Sequence, residues 1–213
     1  MGESRYFKPA LFILGILTVY ATVVHAGITG SKHDFSGRGW GSNEICIFCH
    51  TPHNAKMEGG SAIYPLWNHK VTSATYIVYS SPTMDPRYPA EQPRGPSKLC
   101  LSCHDGTVAI DSYGNRDGTN LISGVANFGT NLSNDHPISI YWGHQTYTGG
   151  NASCVGCHQI HGGGGMSYIG LPFYERYLEC STCHEPHNKY PTYTKMLRKS
   201  LALSEICQHC HGK

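Results

Sequence analysis

One five-residue pattern, Cys-x-x-Cys-His, constrains this chain more than any other feature, because it occurs five times and uses all ten cysteines. Two intervening residues bring both thiols onto one short helical turn, and the following His projects beside them. C-x-x-C-H is the attachment sequence of c-type haem, in which the thiols bond covalently to the porphyrin and the imidazole binds the iron. The copies, termed the first to fifth motifs, are Cys46–His50, Cys100–His104, Cys154–His158, Cys180–His184 and Cys207–His211.

These motifs predict five haem c groups. The expected thioether residues are Cys46, Cys49, Cys100, Cys103, Cys154, Cys157, Cys180, Cys183, Cys207 and Cys210, and the expected proximal iron ligands are His50, His104, His158, His184 and His211. A zinc site or a redox dithiol also uses C-x-x-C, but neither requires His after the second Cys. Five such histidines are far more than chance provides in a chain with 14 His among 213 residues.

The first 26 residues have the pattern of a secretory signal peptide. A short start with two basic residues precedes an apolar run from Pro9 to Val24, and Val24-His25-Ala26 offers small residues at −3 and −1 of a cleavage point. The run is short for a membrane span, which needs roughly 20 apolar residues. We therefore expect residues 1–26 to be removed, with no membrane span in the mature chain, and the protein to be exported to the cell surface or beyond, or to the periplasm.

Residues 27–213 read as one domain of mostly irregular coil with short helices and few short strands. Gly and Pro together are abundant (25 and 12) and long amphipathic helices are scarce, so the porphyrins are expected to supply much of the interior. Strand-like segments are predicted at Ala74–Ser80 and Asp135–Trp142. The formal net charge is only +2, and haem propionates would make the holoprotein acidic, so nucleic-acid binding is not expected.

Each iron has a second axial position, and a second His there gives a closed, low-potential electron-transfer site. A repeat, Cys-His-x-Pro-His-Asn, occurs at Cys49–Asn54 and Cys183–Asn188, so its trailing His is placed to bind the iron of a neighbouring haem if the turn stays helical. The candidate distal ligands are His33, His53, His69, His136, His161 and His187. His144 and His209 are weaker candidates, and methionine is a less favoured alternative because histidine is in surplus.

The sequence around these motifs resembles a known family. The segments that carry the resemblance are Ser31–Phe35, Ile45–Ala55, Pro65–His69, Tyr76–Ser81, Ser97–Val108 and Leu132–Ser139. They are similar to the multihaem c-type cytochromes of metal-respiring bacteria, of the cytochrome c3-like, paired C-x-x-C-H class, some of which (the OmcE type) polymerise outside the cell. The resemblance implies bis-His haems, little regular secondary structure and respiratory electron transfer. The third motif is an addition to the four-haem pattern of the filament-forming members.

Three functions fit this sequence. The first is a non-enzymatic electron carrier in extracellular respiration, with redox proteins and an acceptor such as metal oxide as partners, which self-polymerises through haem–haem contacts. A His from one subunit would then bind iron in the next, with His33 as the expected donor. The second is a monomeric periplasmic shuttle to a reductase. The third, less favoured, is a multihaem reductase, which needs an open iron site.

Overall fold

The computed structural model describes residues 27–55, 66–84, 89–141, 171–172, 174, 177–208 and 210–211. Its longest regular element is helix α1, Gly95–His104. Two four-residue helices follow, α2 at Cys180–Cys183 and α3 at Glu205–Gln208. Strands β1 (Ile140–Tyr141) and β2 (Tyr177–Leu178) form one antiparallel pair, in the register Ile140 to Leu178 and Tyr141 to Tyr177. Short 3₁₀ turns lie at Gly124–Ala126, Thr194–Met196 and Ala202–Ser204.

The residues at the start of helix α1 are suited to a helix N-terminus. Arg94 caps it in an extended conformation and a proline lies in the first turn, where its missing N–H breaks no helical hydrogen bond. The helix ends at Asp105, whose backbone N–H bonds to the carbonyl of Leu101. The side chain of Asp105 then accepts the N–H of Thr107 and turns the chain away.

Helix α2 is stabilised at its start by a reciprocal capping arrangement. The backbone N–H of Glu179 donates to the hydroxyl of Thr182, and the Glu179 side chain accepts from the first turn of the helix. The backbone N–H of Cys180 donates to the Ser97 hydroxyl at 2.9 Å. This bond joins α2 to α1, so the two helices that carry the second and fourth motifs pack together.

The segment predicted as a strand at Ala74–Ser80 is not one. It makes a single bridge, from Ile77 to Asn131, and the remainder is irregular. The Gln92 side-chain amide accepts from the N–H of Tyr76 and donates to its carbonyl, and so takes the bonds that a partner strand would make. Within the described part of the second predicted strand, residues 135–141, strand pairing is limited to Ile140 and Tyr141, as β1.

The buried apolar side chains form small groups. One cluster is Tyr76, Leu101 and Leu132, and another is Leu171, Leu197 and Ile206. Phe48 is 1% exposed, and its ring lies 4.8 Å from the ring of Tyr113. In the parts of the chain that the structure describes, no helix has the length and apolar character that a membrane crossing requires.

Candidate haem-iron sites

Four of the five motifs lie in the described residues, apart from His209 within the fifth, and in each the first Cys, second Cys and His belong to a single turn. The N–H of the motif His bonds to the carbonyl of the first Cys at 2.8 Å for His50 and His211, and at 2.9 Å for His184. The second motif forms the last turn of α1. Each turn therefore presents two thiols and an imidazole together, and none of the eight described cysteines is in a disulfide. The third motif, with Cys154, Cys157 and His158, lies outside the described residues.

Three motif imidazoles lie beside a second imidazole from elsewhere in the chain. The ring centres are 6.1 Å apart for His50 and His187, 6.1 Å for His104 and His33, and 6.2 Å for His211 and His136. Two imidazoles that bind one iron from opposite sides, each at about 2.0 Å, hold their ring centres about 6 Å apart. The three pairs thus have the spacing that an iron ion between them requires.

Hydrogen bonds at Nδ1 hold several of the paired and motif imidazoles in place. His33 donates to the carbonyl of Pro186 at 3.1 Å, and His136 to that of Pro137 at 3.0 Å. His104 and His184 donate to the carbonyls of Ala126 and Lys195, each at 2.8 Å. His187 differs, because its Nδ1 contacts a carboxylate oxygen of Glu185 at 2.9 Å. Bonding at Nδ1 leaves Nε2 as the nitrogen that can bind a metal ion, as in metal-binding histidines generally.

Electrostatics in the His33 pair favour the neutral ring that iron needs. Burial lowers the pKa of His33, and nearby His104, His187 and His184 lower it further, against the opposing bond to Pro186. A neutral imidazole is the form that binds a metal ion.

The ring of Phe128 gives the second motif an additional support. It stacks on the ring of His104, with centres 5.4 Å apart and planes 18° from parallel. The N–H of Phe128 also donates to the His104 carbonyl at 2.7 Å. Sequence reasoning missed this loop, because Phe128 is far from the motif along the chain.

The four described motifs also neighbour one another in a definite order. Cys100 and Cys180 lie close enough to perturb each other, since Cys180 raises the pKa of Cys100 and Cys100 lowers that of Cys180, which places the second and fourth motifs side by side. Burial raises the pKa of Cys103, and the nearby Cys49 of the first motif raises it further. Burial also raises the pKa of Cys183, and Cys180 and Cys207 raise it further. The motifs therefore neighbour one another in the order first, second, fourth and fifth.

Two predicted distal ligands do not face a described motif imidazole. His69 is 1% exposed, and its Nδ1 and Nε2 lie 2.7 and 3.0 Å from the carbonyl oxygens of Lys70 and Ala109. Its Nε2 is also 3.4 Å from the sulfur of Cys103, so it packs beside the second motif. His53 is exposed at the protein surface. His161 lies outside the described residues, as do His144 and His209.

His184, the proximal residue of the fourth motif, has an exposed side chain. Among the described imidazoles, none is paired with it in the way that His187 is paired with His50. Within the described ranges, no group of three or more His, Cys, Asp or Glu side chains is arranged to hold a bare metal ion.

Comparison with protein-family models matches residues 172–213 to the doubled CXXCH motif family. The match covers the fourth and fifth motifs and supports a multihaem c-type cytochrome class with covalently bound haem. No curated protein matches the chain.

Proposed function

We propose that this protein carries electrons along a row of five bis-His c-type haems and has no catalytic activity of its own. A c-type haem supplies a one-electron Fe(III)/Fe(II) couple at its iron. The single observation that carries the proposal is the set of three imidazole pairs whose centres are 6.1, 6.1 and 6.2 Å apart. Each pair joins the His of a C-x-x-C-H motif to a distant His, which is what a closed electron-transfer site needs.

The residues of this chain would act in three ways. The motif cysteines attach each porphyrin, and the motif histidines bind iron from one side. His33, His136 and His187 bind from the other side and exclude water and substrates from the iron. The neighbouring cysteines Cys100 and Cys180 bring two attachment sites into contact, so that an electron has a short path between them.

The number of haems and the identity of distal ligands can be tested together. Intact-mass measurement should show five haems on the mature chain. The reduced wild-type protein should bind no carbon monoxide, whereas His33→Ala and His136→Ala should each bind one equivalent per chain. His69→Ala is the matched control, and we expect it to bind none because His69 faces carbonyl oxygens. Carbon monoxide binding by the wild type would instead favour an open, reductase-type iron.

We further propose that the protein is exported and polymerises outside the cell, and that His53 of one copy binds the iron held by His184 of the next. His53 is exposed and occupies the same place in its repeat as His187, which faces His50. The exposed ring of His184 has its Nδ1 bonded to the carbonyl of Lys195, so Nε2 is directed away from that bond. His33 is not used as this donor, because it faces His104 of its own chain.

Electron microscopy of the purified native protein tests this second proposal. The wild type should form filaments, and His53→Ala should give single molecules that bind one equivalent of carbon monoxide per chain. Lys70→Ala changes an exposed side chain and should leave filaments intact. Single molecules of the wild type would favour a monomeric shuttle, and filaments of His53→Ala would assign the His184 iron to another ligand, such as His161.

A further inference from the structure

The two copies of Cys-His-x-Pro-His-Asn fold alike but differ at one position. Both end on a left-handed Asn, with φ of 56° at Asn54 and 54° at Asn188. The residue x is Thr51 in the first copy and Glu185 in the second. Thr51 donates its hydroxyl to the carbonyl of His53, a bond within its own turn. The second copy places a carboxylate where the first has a hydroxyl.

The Glu185 carboxylate is held firmly against His187. It is 8% exposed, and its Oε2 accepts the backbone N–H of Lys189 at 2.7 Å. Its Oε1 lies 2.9 Å from Nδ1 of His187 and also accepts the backbone N–H of that residue at 3.4 Å. Both oxygens are therefore engaged, and the side chain cannot rotate away from the imidazole without losing several bonds at once.

The contact between Glu185 and His187 differs in charge from the Nδ1 contacts of the other histidines at the candidate sites. Nδ1 contacts a neutral backbone carbonyl at His33, His104, His136 and His184, whereas at His187 it contacts a carboxylate. An imidazole that donates Nδ1–H to a carboxylate gains negative character and becomes a stronger ligand, which stabilises the more highly charged metal ion. For haem iron this means that Fe(III) is favoured over Fe(II).

We propose that Glu185 is a positioning residue that lowers the reduction potential of the iron between His50 and His187, below the potentials at the His33–His104 and His136–His211 pairs. The inference rests on the bis-His ligation under the proposed function. Since the first motif stands at one end of the order in which the four motifs neighbour one another, this end becomes the low-potential end. Electrons then move from it toward the second motif.

The angle between the two rings allows this iron to be followed separately. The planes of His50 and His187 are 20° apart, whereas those of His136 and His211 are 81° apart. Near-parallel and near-perpendicular axial imidazoles give low-spin Fe(III) haems different electron paramagnetic resonance (EPR) spectra. A His187→Met variant identifies the component that belongs to this iron, because that component disappears.

The test is a redox titration of the full holoprotein followed by EPR. In Glu185→Gln, which keeps the size of the side chain and removes its charge, we expect that component to titrate at a higher potential. The expected change is about tenfold in the equilibrium constant, or about 59 mV for one electron. Glu185→Thr, the residue of the first copy, should shift it in the same direction. Glu44→Gln removes an exposed charge two residues before the first motif and is the matched control.

The experiment distinguishes a failure of the proposed ligation from a failure of the proposed role of Glu185. If His187→Met leaves every EPR component unchanged, the proposed ligation by His187 is wrong. If His187→Met removes one component but Glu185→Gln shifts it no more than Glu44→Gln does, the ligation stands and the role of Glu185 is refuted.

Discussion

Replacing Tyr76 by Phe tests whether the buried polar network behind the second motif stabilises the fold. The Tyr76 hydroxyl donates to Oδ2 of Asp105 at 2.5 Å, and both residues are buried. Burial, and then this bond, raise the pKa of Tyr76, so the phenol keeps its proton. Asp105 directly follows His104 and also accepts from Thr72 and Thr107.

The number of remaining donors decides the magnitude. A buried charge left without any partner costs about 3–5 kcal/mol, whereas one hydrogen bond to a charged group contributes about 1.5–3 kcal/mol. In Tyr76→Phe, Asp105 still accepts from the hydroxyls of Thr72 and Thr107 and from the Thr107 N–H. The lower range therefore applies, and we expect a loss of about 2 kcal/mol and a fall in melting temperature of about 4–8 °C.

Guanidinium denaturation followed by far-ultraviolet circular dichroism and Soret absorbance measures this loss. Tyr79→Phe removes the same atom from a half-buried tyrosine of the same segment, and it should cost less than about 0.5 kcal/mol. Equal losses in the two variants would refute the reasoning, because the bond to Asp105 would then contribute nothing specific.

Other perturbations have equally definite outcomes. Phe128→Ala should cost about 1 kcal/mol in denaturation and alter one EPR component, since the ring stacks on His104; Phe128→Tyr should do neither. Asn188→Ala should cost about 1–2 kcal/mol for its left-handed backbone and lower the melting temperature more than Asn188→Gly does. Burial raises the pKa of Glu179 from 4.5 to about 7, so its contribution to stability is full below pH 4.5 and is lost as pH rises through 7. In Glu179→Gln, the denaturation midpoint should therefore depend less on pH between pH 5 and 8 than it does in the wild type. A chain expressed without haem attachment should show the circular dichroism of an unfolded chain, because the described apolar clusters are small.

Local spacing predicted the attachment turns but not the conformation of the residues after each turn. The trailing His shares a face with the motif His only if the helix continues, and it does not, since His184 is already extended with φ −103° and ψ 145°. The sequence also works against continuing the helix, because Pro186 disfavours the helical conformation at Glu185, the residue before it. The first copy has the same constraint at Thr51 and Pro52.

The imidazole pairs lay beyond sequence reasoning for a different reason. Because each iron needs a second axial ligand, the sequence indicated that His33, His136 and His187 could bind iron. The motif histidine that each of them pairs with, however, is set by long-range packing. His33 reaches His104 because its own Nδ1 is bonded to Pro186, more than 150 residues away in the chain. Glu185 was missed although the repeat contained a signal for it, namely the change from Thr to Glu at the variable position.

The contact between Cys100 and Cys180 has a consequence for how the protein is made. Closing α1 onto α2 brings these two thiols together, with the Ser97 hydroxyl bonded to the backbone of Cys180 beside them. We expect the porphyrins to be joined to both motifs before the two helices pack together. If the protein is exported as proposed, a chain that closes before haem attachment would hold two adjacent thiols under oxidising conditions, where a disulfide would block both attachment sites. We therefore expect haem attachment at the second and fourth motifs to precede the packing of α1 against α2.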